Sequence, residues 1–287
     1  MEPYRILVTG STGMIGSKVV LHLLSCGYEV VGIDIAENSM LNPKYTYINV
    51  DLADTDAVFR SLKGQRLSHI IHLAALAHTS GESDLSWERY FLINVTCAEN
   101  IFTIAKERKI PIFFSSTADV YGIANSIMNV YSERNPIGNY AKSKCLAEDS
   151  LMHICKDSFY TIMRFAPVYT PEVKRDIQKR YYLKYPNLAY KVGNGIEYEV
   201  LSIDNVIKAI SAWVEDANHQ QILNIKDDQY LDTGIVLQEE RQEGRAKRII
   251  WIPKWTVNFA FRIMKLFVPN GWNTYMLNKV VNPIRTE

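Results

Sequence analysis

The chain is notable first for what it lacks. No stretch of about 18 uncharged apolar residues occurs in its 287 residues, so no membrane span is expected. It has four cysteines, Cys26, Cys97, Cys145 and Cys155, and no Cys-x-x-Cys pair. That spacing argues against a disulfide scaffold and points to free thiols in a reducing compartment. Six histidines, among them His22, His69, His72 and His78, show no compact spacing with cysteines or acids, so no metal site is expected. Net charge is only +1, which excludes a strong general attraction to nucleic acid and leaves room only for a local basic patch. The chain opens directly with Tyr4-Arg-Ile-Leu-Val-Thr9, with no basic and then apolar leader, so a cytoplasmic location is expected. No internal repeat or low-complexity tract is evident.

What is present is an alternation. Hydrophobic residues make up 47% and charged residues 22%, enough for one large domain or a domain with a smaller lobe. Short apolar runs, Ile6–Val8, Glu29–Ile33, Tyr45–Ile48, Ile70–Leu73, Pro111–Phe114 and Tyr160–Met163, read as strands. Between them, Met14–Ser25, Asp54–Leu62, Trp87–Glu107 and Tyr140–Lys156 read as helices, the third as one long helix. Several strands are continuously apolar, as expected when helices cover both faces of a parallel sheet. The rhythm predicts an α/β fold with an open, doubly wound sheet. The pattern loosens after residue 168, returns with a helix at Ile203–Glu215 and a strand at Gln221–Ile225, and then leaves again. Residues 1–168 and 201–225 are therefore expected to form a dinucleotide-binding domain. Residues 169–200 and 226–287 are expected to form a small substrate lobe and tail.

Gly10-Ser-Thr-Gly13-Met-Ile-Gly16 follows the first strand and opens the first helix. Gly10 permits a backbone bend, Gly13 a close approach to a pyrophosphate, and Gly16 close packing of helix on sheet. The helix N-terminus would offer amide groups to phosphates. No Gly-Lys-Ser/Thr ends this loop, which excludes the phosphate loop of nucleotide hydrolases. Asp34 closes the second strand, where a carboxylate can accept both ribose hydroxyls of an adenosine half. A 2′-phosphate would meet like charge there, so NAD is expected rather than NADP. Asp51, after the third strand, is either a contact to the adenine edge or an ordinary loop acid.

Tyr140 and Lys144 stand four residues apart and share a helix face. A phenol is a poor base near neutral pH, but a neighbouring ammonium lowers its pKa and could make Tyr140 a proton shuttle. A surface helix pair is the plainer alternative. Thr117 ends the fifth strand at its carboxyl edge, either to bind a substrate oxygen or to cap a turn. Asp119 is read as an acid or base in the cleft, or as a cap. In the tail, Trp251–Pro269 carries Trp255, Phe259, Phe261, Met264 and Phe267 with Arg262 and Lys265 between them. It reads as a buried lobe helix, or as a dimer or peripheral membrane face.

Taken together, TGSTGMIG (9–16), Asp34, Asp51-Leu52, HLAA (72–75), Asn94, SSTADVYG (115–122), YAKSK (140–144), RFAPVYTP (164–171) and SIDNV (202–206) resemble the extended short-chain dehydrogenase/reductase family, in its nucleotide-sugar epimerase/dehydratase branch. The resemblance implies a Rossmann-like doubly wound parallel sheet with a small C-terminal substrate lobe. It implies Thr117, Tyr140 and Lys144 as the catalytic trio. It also implies NAD contacts from Gly10, Thr12, Gly13, Met14, Ile15, Gly16, Asp34, Asp51, Leu52, Leu73, Ala74, Ala75, Asn94, Ser115, Tyr140 and Lys144. Phe165–Val168 would lie near the nicotinamide.

Two departures matter. Ala118 and Asp119 stand where family dehydratases carry Asp and Glu, which argues against full dehydratase chemistry. Tyr198 stands where many nucleotide-sugar enzymes carry a phosphate-binding Arg, flanked here by Glu197 and Glu199. The expected function is NAD-dependent epimerisation of a nucleotide-linked sugar, at C4 through a transient ketone. The alternatives are an NAD(P)-dependent ketoreductase or dehydrogenase of a sugar or related hydroxyl substrate, and a non-catalytic dinucleotide-sensing protein. A homodimer is compatible with all three.

Overall fold

The computed structural model describes residues 4–77, 86–124, 126–217 and 219–287; His78 lies outside them. The apolar runs become β1 (Arg5–Thr9), β2 (Glu29–Asp34), β3 (Tyr45–Asn49), β4 (His69–His72), β5 (Ile112–Thr117) and β6 (Tyr160–Phe165). With the strand Gln220–Ile225 they form a seven-stranded sheet in the order β3-β2-β1-β4-β5-β6-(Gln220–Ile225). Pairings of β2 with β1 and β3, and of β4 with β1 and β5, are parallel. Strand order reverses between β1 and β4, which places a topological switch point beside the first glycine turn. This is the Rossmann-like core expected from the alternation.

Between the strands run α1 (Met14–Ser25), α2 (Thr55–Leu62), α3 (Trp87–Phe91), α4 (Cys97–Arg108) and α5 (Asn139–Ile154). Burial explains the unbroken apolar strands. Phe113 and Phe114 are adjacent on β5, so their side chains take opposite faces. Phe114 meets Phe102 of α4 edge-on at 5.5 Å, whereas Phe113 meets Trp213 of the helix Ile203–Glu215 at 5.6 Å. Both faces are covered, and neither could accept the alternating polar pattern of a solvated sheet.

The described residues fall into two compact units. The first comprises Met1–Ser116, Asn139–Arg164 and Val206–Leu223, and the second Thr117–Gly138, Phe165–Asn205 and Asn224–Glu287. The second also takes 117–138, a segment that the sequence reading left in the first. It contains a three-stranded sheet in the order Arg248–Ile252, Leu188–Val192, Tyr182–Lys184. Two carboxylates, Glu199 buried and Asp227 half-buried, organise it. Asp227 accepts hydrogen bonds from the Ser202 amide and hydroxyl, Asn205 Nδ2 and the Tyr169 hydroxyl. Glu199 accepts from Lys226 Nζ and from the amide and hydroxyl of Thr286.

Two elements differ from expectation. The long helix from Trp87 is broken by a π turn, Leu92–Thr96, between α3 and α4. The tail segment divides: Trp251 belongs to the strand Arg248–Ile252, and the helix begins at Lys254 and ends at Phe267. That helix buries Val257 and Phe261 and leaves most of its aromatic residues exposed, so it is not the buried lobe helix that its composition allowed. No helix among the described residues is long and apolar enough to cross a membrane, and no cluster of metal-ligating side chains occurs among them.

Candidate active site

The glycine turn is as tight as its spacing requires. Gly10 has φ +68°, and a Cβ there would lie 2.8 Å from the Ala74 backbone. A Cβ on Gly16 would lie 2.0 Å from the Gly10 carbonyl oxygen. Both positions therefore exclude any side chain, and together they seat α1 on the carboxyl ends of β1 and β4. Gly13 caps α1 without a side-chain hydrogen bond, and the first turn carries no acid, with Met14 exposed and Ile15 half-buried. Amide donors at this end are left for a phosphate. Such a cradle suits a pyrophosphate-bearing dinucleotide.

Asp34 braces the same turn. Its carboxylate accepts the Thr12 amide at 2.9 Å and the Ile35 amide at 2.7 Å, so it fixes the glycine loop against the end of β2. Asp51 accepts the Ala53 amide at 2.9 Å as a turn acid before α2. Leu52 is buried in the core, and its carbonyl is held by Asn100. At the end of β4, Thr9 binds both the Ala74 amide and His72 Nδ1, and the Thr9 carbonyl accepts the Leu73 amide. This holds the loop Leu73-Ala74-Ala75 across β1. Ser115 donates to the His72 carbonyl at 3.3 Å.

Asn94 lies inside the π turn and is buried. Its amide oxygen accepts the Leu76 amide at 2.6 Å, while its nitrogen donates to the Leu76 carbonyl and to Ser143 Oγ. It thus clamps the loop after β4 to α5, one residue before Lys144. Asn94, expected along the cofactor, holds both polar backbone groups of Leu76 in that loop. Single π turns inside α-helices are rare and recur at functional sites.

Tyr140 stands half-buried in the first turn of α5, and its carbonyl accepts Ser143 Oγ. Lys144, on the same helix face, is buried, with Nζ 4.0 Å from the centre of the Phe114 ring. Burial lowers its pKa to about 7, against an opposing pull from Glu148. Burial, followed by Lys144, lowers His72 to about 3, so this imidazole stays neutral. Below Lys144 lies an ion pair that the sequence reading missed. Glu148 accepts Arg164 Nη2 at 2.8 Å and Nε at 3.1 Å, and Ser116 Oγ as well, with both charged side chains buried. Its signal was an acid one helical turn beyond Lys144 and an arginine inside an apolar strand.

Thr117 ends β5 and belongs to the second unit. Its hydroxyl accepts the Asp119 amide at 3.2 Å and so caps the turn Ala118–Tyr121. Asp119 pairs with Lys279 at 2.7 Å, a partner 160 positions away that local reading could not reach. The two line a cleft with Arg180, Tyr198, Glu199 and Ile284. The guanidinium of Arg180 lies 4.4 Å from the centre of the Tyr198 ring, and its Nε is buried without a hydrogen-bond partner. Neither acid beside Tyr198 is uncompensated: Glu197 meets Arg285 and Glu199 meets Lys226. Phe165 and Ala166 are buried, and the Ala166 amide donates to the Ile225 carbonyl.

A doubly wound sheet with a glycine cradle at its switch point defines a dinucleotide-binding class of protein. The chain belongs to the NAD dependent epimerase/dehydratase family, whose model matches residues 6–225. It is 29% identical over 177 residues to a UDP-glucose 4-epimerase of Drosophila melanogaster, covering 54% of this chain and 50% of that protein. It is 33% identical over 170 residues to a UDP-glucose 4-epimerase of Neisseria meningitidis, covering 53% and 48%. The chain spans about half the length of the curated relatives it matches. Its fold is also that of a UDP-glucuronic acid 4-epimerase from Bacillus cereus solved with NAD. The TM-score is 0.71 at 22% identity, over 87% of each chain.

Proposed function

We propose that the chain is an NAD-dependent epimerase of a nucleotide-linked sugar, acting at C4 through a transient ketone. The observation that carries this reading is the Gly10–Gly16 cradle, whose backbone contacts leave no room for a Cβ and whose helix end is uncapped by any side chain. Gly10, Thr12, Gly13, Met14, Ile15 and Gly16 would hold the pyrophosphate. Asp34 would hold the adenosine ribose, and Asp51 and Leu52 the adenine edge. Leu73, Ala74, Ala75 and Ser115 would border the nicotinamide half, with Asn94 fixing their loop. When bound, NAD supplies the hydride acceptor and donor.

In this reading Tyr140 takes the proton of the sugar hydroxyl and returns it after the ketone has turned. Thr117 orients the reacting oxygen. Lys144 holds the ribose side of the site and favours the phenolate of Tyr140. Its place one helical turn from Tyr140 on the same face of α5 supports this reading. Arg180 takes an anionic group of the substrate: its Nε has no partner, and the Asp119 and Glu199 carboxylates in the cleft already have cations. The names of the sequence relatives support a UDP-sugar.

A one-way ketoreductase or dehydrogenase uses the same residues and is separated by stoichiometry. The test is a screen of UDP-, dTDP- and GDP-sugars, with product analysis and absorbance of the reduced nicotinamide. Formation of a C4 epimer supports the proposal. Normal NAD binding with no reaction of any sugar nucleotide would favour a dinucleotide sensor.

A further inference from the structure

We propose that the helix Lys254–Phe267, with the turn that follows it, docks the protein on an anionic lipid surface. The helix packs on Trp272–Val281 and buries Val257 and Phe261. Its other face carries Trp255, Phe259, Ile263 and Leu266, at helical spacings of four, four and three, followed by Phe267. Trp255 is 70% exposed, Phe259 61%, Leu266 82% and Phe267 80%. Over about 21 Å of helix this is a continuous apolar stripe rather than scattered single residues.

Charge decides the occupant. From Gly244 to Thr286 the chain has eight Lys and Arg and no Asp or Glu, although the whole chain is nearly neutral; Arg245, Lys279 and Arg285 pair with carboxylates outside this segment, and Lys247, Arg248, Lys254, Arg262 and Lys265 make up the rest. Arg262 and Lys265 flank the stripe on the same helix and are exposed. A helix with an apolar face, aromatic residues and only basic flanks suits the boundary between acyl chains and anionic headgroups. Trp255 near one end and Trp272 beyond the other are residues favoured at that depth. A second copy of this chain fits less well. A two-fold contact through the stripe would bring its cations toward their own copies, with no acid in the segment to pair with them.

The full-length protein is sedimented with vesicles of phosphatidylcholine alone, and with vesicles of phosphatidylcholine and phosphatidylglycerol in equal parts. Binding is expected only to the mixed vesicles, with release at high salt and a blue shift of tryptophan fluorescence. Phe259→Glu with Leu266→Glu should abolish it. Arg262→Glu with Lys265→Glu should weaken it by more than about tenfold, from roughly fivefold per cation lost. All four positions are exposed, and a thermal melt checks that each variant is folded. Equal binding to both vesicles, or binding to neither, overturns the proposal. So does a dimer in sedimentation equilibrium that Phe259→Glu with Leu266→Glu converts to monomer, if the wild type ignores lipid.

Discussion

Asn94 Nδ2 donates to Ser143 Oγ at 2.9 Å, tying a π turn to the residue immediately before Lys144. The same amide holds both polar backbone groups of Leu76. Asn94→Ala should therefore leave buried groups unpaired and cost about 1–3 kcal/mol, read in a denaturant melt. NAD affinity should fall with it, because the loop Leu73-Ala74-Ala75 loses its anchor. An unchanged melt and unchanged NAD titration would show that the clamp is dispensable.

Tyr140→Phe removes one hydroxyl and leaves the helix intact. Turnover should drop by roughly a hundredfold or more, as expected for loss of a positioned proton shuttle, while NAD binding survives. Wild-type turnover in this variant would remove Tyr140 from the chemistry.

Asp34→Ala should lower the preference for NAD over NADP by about tenfold, equivalent to about 1.4 kcal/mol. Like-charge repulsion of a 2′-phosphate would be gone. The variant also releases the Thr12 and Ile35 amides, so some loss of affinity for both cofactors is expected. Parallel fluorescence titrations of the two cofactors measure the ratio, and an unchanged ratio would contradict the role given to Asp34.

Lys144 provides a pH test. Its pKa in the folded chain is lowered to about 7 from the ordinary 10.5, mainly by burial. Between those values the unfolded chain binds more protons than the folded one, so this group makes stability rise with pH across that window. Below about pH 7 both states are protonated, and the cost of burying the ammonium is fully present. Without NAD, Lys144→Met should flatten the rise and be relatively more stable at pH 6 than at pH 10. Melting temperatures across the window check this; identical pH profiles for variant and wild type would contradict it.

Glu148→Leu should cost about 3–5 kcal/mol, because it strands a buried Arg164. Adding Arg164→Met should recover part of that loss. Independent, additive effects in chemical denaturation would argue against the pair acting as a unit.

The sheet was legible because its strands are buried on both faces and its glycines stand at fixed steps from β1. The placement of Asp34 at the end of β2, and of Tyr140 and Lys144 on one face of α5, was legible as well, since each follows from position along a strand or helix. The π turn at Leu92–Thr96 was not, because a single inserted residue barely disturbs the apolar periodicity of α3 and α4. Asp119–Lys279, Glu148–Arg164 and Arg180–Tyr198 were also invisible. Each joins groups from different elements, and nothing in one-dimensional spacing pairs them. The tail composition allowed either burial or exposure. Helical phase decided it, since Val257 and Phe261 point inward together and Trp255 and Phe259 do not.

The most direct measurement of the central claim is turnover of the purified protein with UDP-sugars and no added reductant. The account expects bound NAD to survive purification and a C4 epimer to accumulate catalytically, without net change in nicotinamide absorbance. A strict requirement for one NADH or NADPH per product would contradict it.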